Sequence, residues 1–177
     1  SHEDWRYIMM KGKTNNKLQY FIVDFGSIHL IPTLCVYMAL LPMIYALAYP
    51  GNELNNLDIL AAFLAIAAVI IQIISDQQMF NFRRNLSEPK TMKSGLWYYS
   101  RHPNYFGEIL FWFSLFVFAL AANFNFVWLL IGTLIMYALI AIASVSMMDK
   151  RSLERRSDFK EYMDSTPAIF INIFKRG

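Results

Sequence analysis

The chain has 177 residues, a length that fits one domain. Hydrophobic residues make up 56% of it and charged residues 16%, against about 25% charged in soluble domains. That shortage of charge argues against a water-soluble globule and for a membrane protein, and a net charge of +3 is too modest to imply a nucleic-acid partner.

The opening stretch, Ser1 to Lys17, is polar and mixed in charge, with no cleavable signal pattern. The first apolar segment covers about 18–49 and contains Pro32 and Pro42. A straight crossing needs roughly 20 residues, so a kinked or tilted helix, or one that starts in the interface, is expected. Cys35 is the single cysteine; it cannot form an internal disulfide and reads as a small buried hydrophobe. Asp24 and His29 lie five apart on this helix, poor spacing for metal ligands. A hydrogen bond between packed helices is expected there, and no metal.

The second segment, about 57–76, contains "LDILAAFLAIAAVIIQII". Gln72, Asp76 and Arg83 are spaced four and seven and share one helical face. That stripe is either an ion pair snorkelling at a helix end or a polar wall for an anionic ligand. It leads into a loop holding Arg83, Arg84, Lys90, Lys93 and Arg101, and then into "SRHPNYFGE". Pro103 suits the first turn of a third helix, over about 105–122. Asn104 and Glu108, spaced four, share a face, and Gly107 permits close backbone approach. A helix N-terminus favours anions. The expectation is a pocket at the ends of spans two and three, suited to a phosphate-bearing ligand. The alternative is that the basic residues meet anionic lipid headgroups, the favoured reading for Arg84 and Lys93.

The connection "ANFN" makes the third span and a fourth, about 126–146, an antiparallel hairpin. The tail, 147–177, is expected to carry a cytoplasmic amphipathic helix. Its polar candidates are Asp149, Arg151, Glu154 and Arg155, which a solvated charged helix would also explain. All 16 Lys and Arg fall before the first span, between spans two and three, or after span four. The two opposite loops have none, so both termini are expected in the cytoplasm. The fold class is therefore all-α: a membrane bundle of about four transmembrane helices.

Three segments resemble a known family. "GLWYYSRHPNYFGE" resembles the signature of the steroid 5-alpha-reductase C-terminal-domain family, in its bacterial-type branch. "EDWRY" at Glu3–Tyr7 and the ending "DKRSLERRSDFKEYMDSTPAIFI" are similar to segments of that branch. Sister groups are the delta-14 sterol reductases and the isoprenylcysteine carboxyl methyltransferases, which share an Arg/Lys-His-Pro-x-Tyr-x-Gly core. The resemblance implies NADPH held within the membrane. Asp76 and Arg83 match an Asp and an Arg that contact that cofactor, and Gln72 stands where an asparagine is usual. Asn104 and Glu108 match the Asn and Glu of the "NYxGE" segment, and Lys90 lies near a basic position that meets the adenosine phosphates. The tail lacks the His and Tyr of steroid reductases. Members also carry further N-terminal helices, which this chain is expected to lack, as a fragment or one part of a larger assembly with other membrane subunits.

The resemblance implies an NADPH-dependent reductase of a carbon–carbon double bond in a lipophilic, sterol- or isoprenoid-like substrate. Glu108 and Tyr105 are the catalytic candidates, with Tyr7, Tyr98 and Tyr99 as further proton donors. Gln72, Asp76, Arg83, Lys90, Arg101, His102 and Asn104 are the cofactor-binding candidates. The alternatives are an S-adenosylmethionine-dependent methyltransferase, which His102, Pro103, Tyr105 and Gly107 suit equally, and a small non-catalytic membrane subunit that has kept the fold.

Overall fold

The structure, a computed structural model, describes residues 16–49, 53–84, 88 and 90–172. Glu3–Tyr7, with its candidate Tyr7, and the basic residues Arg6, Lys11, Lys13, Lys175 and Arg176 lie outside the described residues. Among the described residues every regular element is helical. Four helices are long and apolar enough to cross a membrane: α1 (Lys17–Ala48), α2 (Asn56–Arg84), α4 (Pro103–Ala122) and α5 (Phe124–Arg155). A single-turn helix α3 (Leu96–Tyr99) precedes α4, and a short α6 (Phe159–Ser165) follows α5. This is an integral membrane bundle, as the hydropathy implies.

Two of these helices continue beyond their apolar stretches. α2 runs on to Arg84 and α5 to Arg155. At about 1.5 Å per residue, the 29 residues of α2 outreach a hydrocarbon layer of roughly 30 Å. Its last turn, with Arg83 and Arg84, therefore projects past the membrane, where cations also suit the helix C-terminus. α1 does not break at Pro32. The ring of Pro32 crowds the preceding turn and offers no N–H, and the chain widens into a π-wound segment, Phe25–Leu30, just before it. The Asp24–His29 pair stays within α1, at 3.9 Å, rather than joining two helices as expected.

α4 is the hub. It packs against α1, α2 and α5, and α1 also packs on α5, whereas α1 and α2 share no extended contact among the described residues. The α2–α4 seam is built from small residues. Ala61, Ala68 and Ser75 recur every seven residues on α2 and are fully buried; Gly107 and Ser114 answer on α4 with the same spacing. A Cβ on Gly107 would lie 2.8 Å from the Ala68 carbonyl oxygen and from the Gln72 side chain. Lipid tails are as apolar as leucine, so close van der Waals packing of small residues drives association inside a bilayer. The hydroxyls in the seam cost little, because Ser75 and Ser114 donate to the Ile71 and Phe111 carbonyls of their own helices, each at 2.6 Å. Away from the seam α2 faces outward, with Ile59, Phe63, Ile66 and Ile73 more than half exposed, a surface for acyl chains.

The α1–α5 crossing uses the same device. Ala39 is fully buried against Gly132, where a Cβ would strike the Met38 carbonyl. Gly132→Ala should therefore lower stability by about 1–3 kcal/mol, the usual scale of overpacking, read as a lower Tm in detergent. Gly26→Ala, with nothing within 4 Å of its Cβ, should leave Tm unchanged or raise it.

Candidate functional site

The site forms where α2 ends, α4 begins and α5 leaves the membrane. Pro103 opens α4 and, as prolines do to the residue before them, holds His102 out of the helical region, at φ −137° and ψ 65°. The extended stretch before α4 therefore has backbone groups to satisfy elsewhere, and the chain after α6 accepts or supplies them. Arg101 N–H donates to Pro167 O (2.9 Å), His102 N–H to Ala168 O (3.0 Å) and Asn172 N–H to Tyr99 O (3.1 Å). Ser100 Oγ donates to Ile169 O at 2.8 Å.

A buried carboxylate ties this clasp to α5. Asp149 accepts from Arg101 Nη2 through Oδ2 at 2.8 Å and meets His102 Nε2 through Oδ1 at 2.9 Å. Both side chains of the Arg101–Asp149 pair are only about a tenth exposed (11% and 10%), so the charges are screened little by water. Arg101 Nη1 donates to the Met163 and Thr166 carbonyls at 2.8 and 2.9 Å. Tyr162 O–H donates to the carbonyls of Trp97 and Ser100. Burial pushes the Tyr162 hydroxyl well above the ordinary phenol range; the Asp149 charge adds to this and Arg101 partly offsets it. The hydroxyl thus stays a donor.

α3 is pinned to α2 in turn. Trp97 Nε1 donates to Ser75 O, and Leu96 N–H to Gln78 Oε1, each at 3.0 Å. Gly95, at φ 62°, makes the left-handed turn that a side chain would oppose. On the outer rim, Thr91 donates to Asp158 from Oγ1 (2.7 Å) and from its N–H (3.3 Å). The slight burial of Asp158 raises its pKa; the Thr91 bonds and the Lys93 charge outweigh that and hold it below the usual carboxylate range.

These contacts enclose a hollow of about 670 Å³, within the roughly 300–1,000 Å³ of small-molecule sites. Six basic side chains line it: Arg83, Lys90, Arg101, Arg151, Arg155 and Arg156; Glu88 is the one carboxylate among the described lining residues. Burial, and then the neighbouring charges of Arg83 and Arg155, hold Arg156 below the ordinary guanidinium range, with Asp158 offsetting part of this. Among the described lining residues, basic side chains outnumber carboxylates six to one. At the membrane end stand His102, Asn104 and Tyr105. The His102 and Tyr105 rings stack, with centroids 5.4 Å apart. Asn104 Oδ1 is buried and has no hydrogen-bond partner among the described residues.

The structure gathers Arg83, Lys90, Arg101, His102, Asn104 and Tyr105 around one hollow. It does not bring Gln72, Asp76 or Glu108 to its wall, which corrects the expectation that Gln72, Asp76 and Asn104 share one cavity. Gln72 packs on Gly107 in the α2–α4 seam. Asp76 is exposed, because it lies roughly 100° round the helix from buried Ser75; the stripe reaches the hollow only at Met79 and Arg83. Glu108 is half-buried one turn deeper on α4. Of the tail candidates, Asp149 is the brace and Arg151 and Arg155 line the hollow, whereas Glu154 is exposed. Arg156, Tyr162 and Trp97 join the site as well. The spacing of Arg151 and Arg155 marks a helical face; Tyr162 and Trp97 carried no such signal.

The face of α4 that begins at Asn104 continues through Glu108, Phe111, Leu115, Phe118 and Ala122, spaced four and three in turn. Leu115, Phe118 and Ala122 line a second cavity, of about 540 Å³, at the opposite end of the bundle. One stripe of α4 thus links a cationic hollow to an apolar one. Removing the brace should cost the site its order: Asp149→Ala strands a buried guanidinium, and breaking such a pair costs about 3–5 kcal/mol. A purified variant that melts at the native temperature would contradict this.

Residues 1–166 match the family described as protein of unknown function (DUF1295). The chain is also similar, at 24% identity over 190 residues, to an uncharacterized protein of Schizosaccharomyces pombe. That alignment takes in 95% of this chain and 54% of the yeast protein, so the chain spans about half the length of this relative. No solved structure matches the chain. With nearly its whole length matched, the chain belongs to the DUF1295 family, a steroid 5-alpha-reductase-like group.

Proposed function

We propose that the cationic hollow binds NADPH and that the protein is a membrane reductase of a carbon–carbon double bond in a lipophilic substrate, with both termini in the cytoplasm. The observation that carries this reading is the convergence of six basic side chains on one hollow at the membrane edge. A pyrophosphate and a 2′-phosphate would relieve the repulsion that the protein leaves standing around Arg156. Asn104 Oδ1, buried and without a partner among the described residues, suits the amide N–H of a nicotinamide. S-adenosylmethionine fits less well, because its sulfonium is itself a cation.

The bound cofactor supplies a hydride; the remaining tasks fall to this chain. Arg83, Lys90, Arg151, Arg155 and Arg156 bind phosphate oxygens, for which guanidinium forks are well shaped. Arg101, held by Asp149 and two carbonyls, anchors the loop. Asn104 orients the cofactor ring. Tyr105, stacked on His102, presents a hydroxyl at the membrane end of the hollow and gives the proton to the carbon next to the one reduced. The substrate reaches that point along the α4 stripe, which runs from Asn104 to the apolar cavity in the gap that α1 and α2 leave open.

The purified protein should bind NADPH, and bind S-adenosylmethionine far more weakly, by titration calorimetry. Arg83→Ala and Arg155→Ala should each weaken NADPH binding about 10- to 100-fold, matching roughly 1.5–3 kcal/mol for a charged hydrogen bond. Unchanged affinity in both, or preferred binding of S-adenosylmethionine, would overturn the assignment. Tyr105→Phe should keep NADPH affinity and lose turnover of an enone lipid.

A further inference from the structure

The second cavity lies at the end of the bundle away from the cationic hollow and has a chemistry of its own. Its walls are apolar, including Leu47 from α1 and Leu115 and Phe118 from α4, and its mouth is framed by Glu53 and Asp58. From Leu115 to Ala122 on α4 is seven residues, a depth of about 10 Å. The volume, about 540 Å³, lies within the small-molecule range of roughly 300–1,000 Å³.

No lysine, arginine or histidine occurs between positions 30 and 82 or between 103 and 149. Among the described residues the mouth is therefore purely acidic: Glu53 and Asp58 stand there, and the helix ends on that side carry no cation. The rim is also fixed in place. Asn55 Nδ2 donates to the Ala121 carbonyl at 2.9 Å and its Oδ1 accepts from Leu57 N–H at 2.8 Å. Asp58 Oδ2 accepts from Asn55 N–H at 2.9 Å. α2 is thereby tied to the end of α4 while α1, opposite, makes no extended contact with α2 among the described residues, which leaves that side of the cavity open.

An apolar bore with an acidic mouth selects an amphiphile by charge. We infer that this cavity binds a long-chain amine, its ammonium group between Glu53 and Asp58 and its alkyl chain against Leu115 and Phe118. A neutral lipid would fill the bore and leave the carboxylates unmatched; a fatty acid or an anionic headgroup would be repelled at the mouth. A bare metal cation would gain nothing from the apolar walls.

The probe is tetradecylamine carrying a diazirine on its chain, with the matching alcohol as control, photolysed with the full chain in nanodiscs of neutral lipid. Peptide mass spectrometry should place the amine label on Leu47, Leu54, Leu115 or Phe118, and excess plain tetradecylamine should compete it away. The alcohol should label the same residues about tenfold less, the ratio that about 1.4 kcal/mol gives. Glu53→Gln with Asp58→Asn should bring the amine down to the level of the alcohol. Since Asp58 also holds the start of α2, Glu53→Gln alone is the second variant, expected to lose several-fold of the preference with its melting unchanged. Equal labelling by amine and alcohol would overturn the inference, as would full preference retained in Glu53→Gln or label spread over the lipid-facing residues of α1 and α2.

Discussion

A single buried carboxylate decides whether this bundle has a site. Asp149 stands on α5, Arg101 and His102 stand before α4, and one side chain meets both. Without it the loop before α4 would hold an arginine in a poorly hydrated place, whose desolvation only an opposite charge offsets. With it, the loop can run extended, take backbone hydrogen bonds from the chain after α6, and present His102, Asn104 and Tyr105 toward the same space. The brace spends the charge of Arg101 on structure. The arginines on α5 and its exit, Arg151, Arg155 and Arg156, line one wall of the hollow, an arrangement suited to phosphate oxygens.

The membrane part obeys a different rule. Water drives nothing together inside a bilayer, so its helices meet where side chains are small enough to let backbones touch. Ala61, Ala68, Ser75 and Gly107 form one such line, and Ala39 with Gly132 a second. Because α4 takes part in most of these contacts, it carries both the strength of the bundle and the two ends of the proposed reaction path. Coupling of that kind makes the position of Asn104 a property of the whole packing of α4, not of a loop.

Much of this was legible beforehand. Long apolar runs locate four spans, because the hydrocarbon thickness sets their length, and the opening and closing positions of α4 follow from Pro103 and the asparagines around Asn123. The clustering of Arg83, Lys90 and Arg101 with His102 and Asn104 follows from their placement at helix ends on one side. Asp76 shows where periodicity stops being enough: spacing of four and seven puts it on the stripe of Arg83, but a helix turns about 100° per residue, and only packing decides which part of a broad stripe faces inward. The role of Asp149 was hidden for a related reason. In sequence it is one charge in a charged run, and its burial depends on a loop that lies 47 residues earlier. Tyr162 and Trp97 act through backbone carbonyls, which leave no trace in side-chain patterns.

The gap between α1 and α2 gives the bilayer a part to play in the protein itself. Among the described residues no extended α1–α2 contact closes that side, so where acyl chains reach it the thickness and composition of the surrounding lipid would help to set the shape of the cavity beside Leu115. A micelle would supply a different wall from a native leaflet, and the chain's affinity for apolar ligands becomes a joint property of protein and solvent.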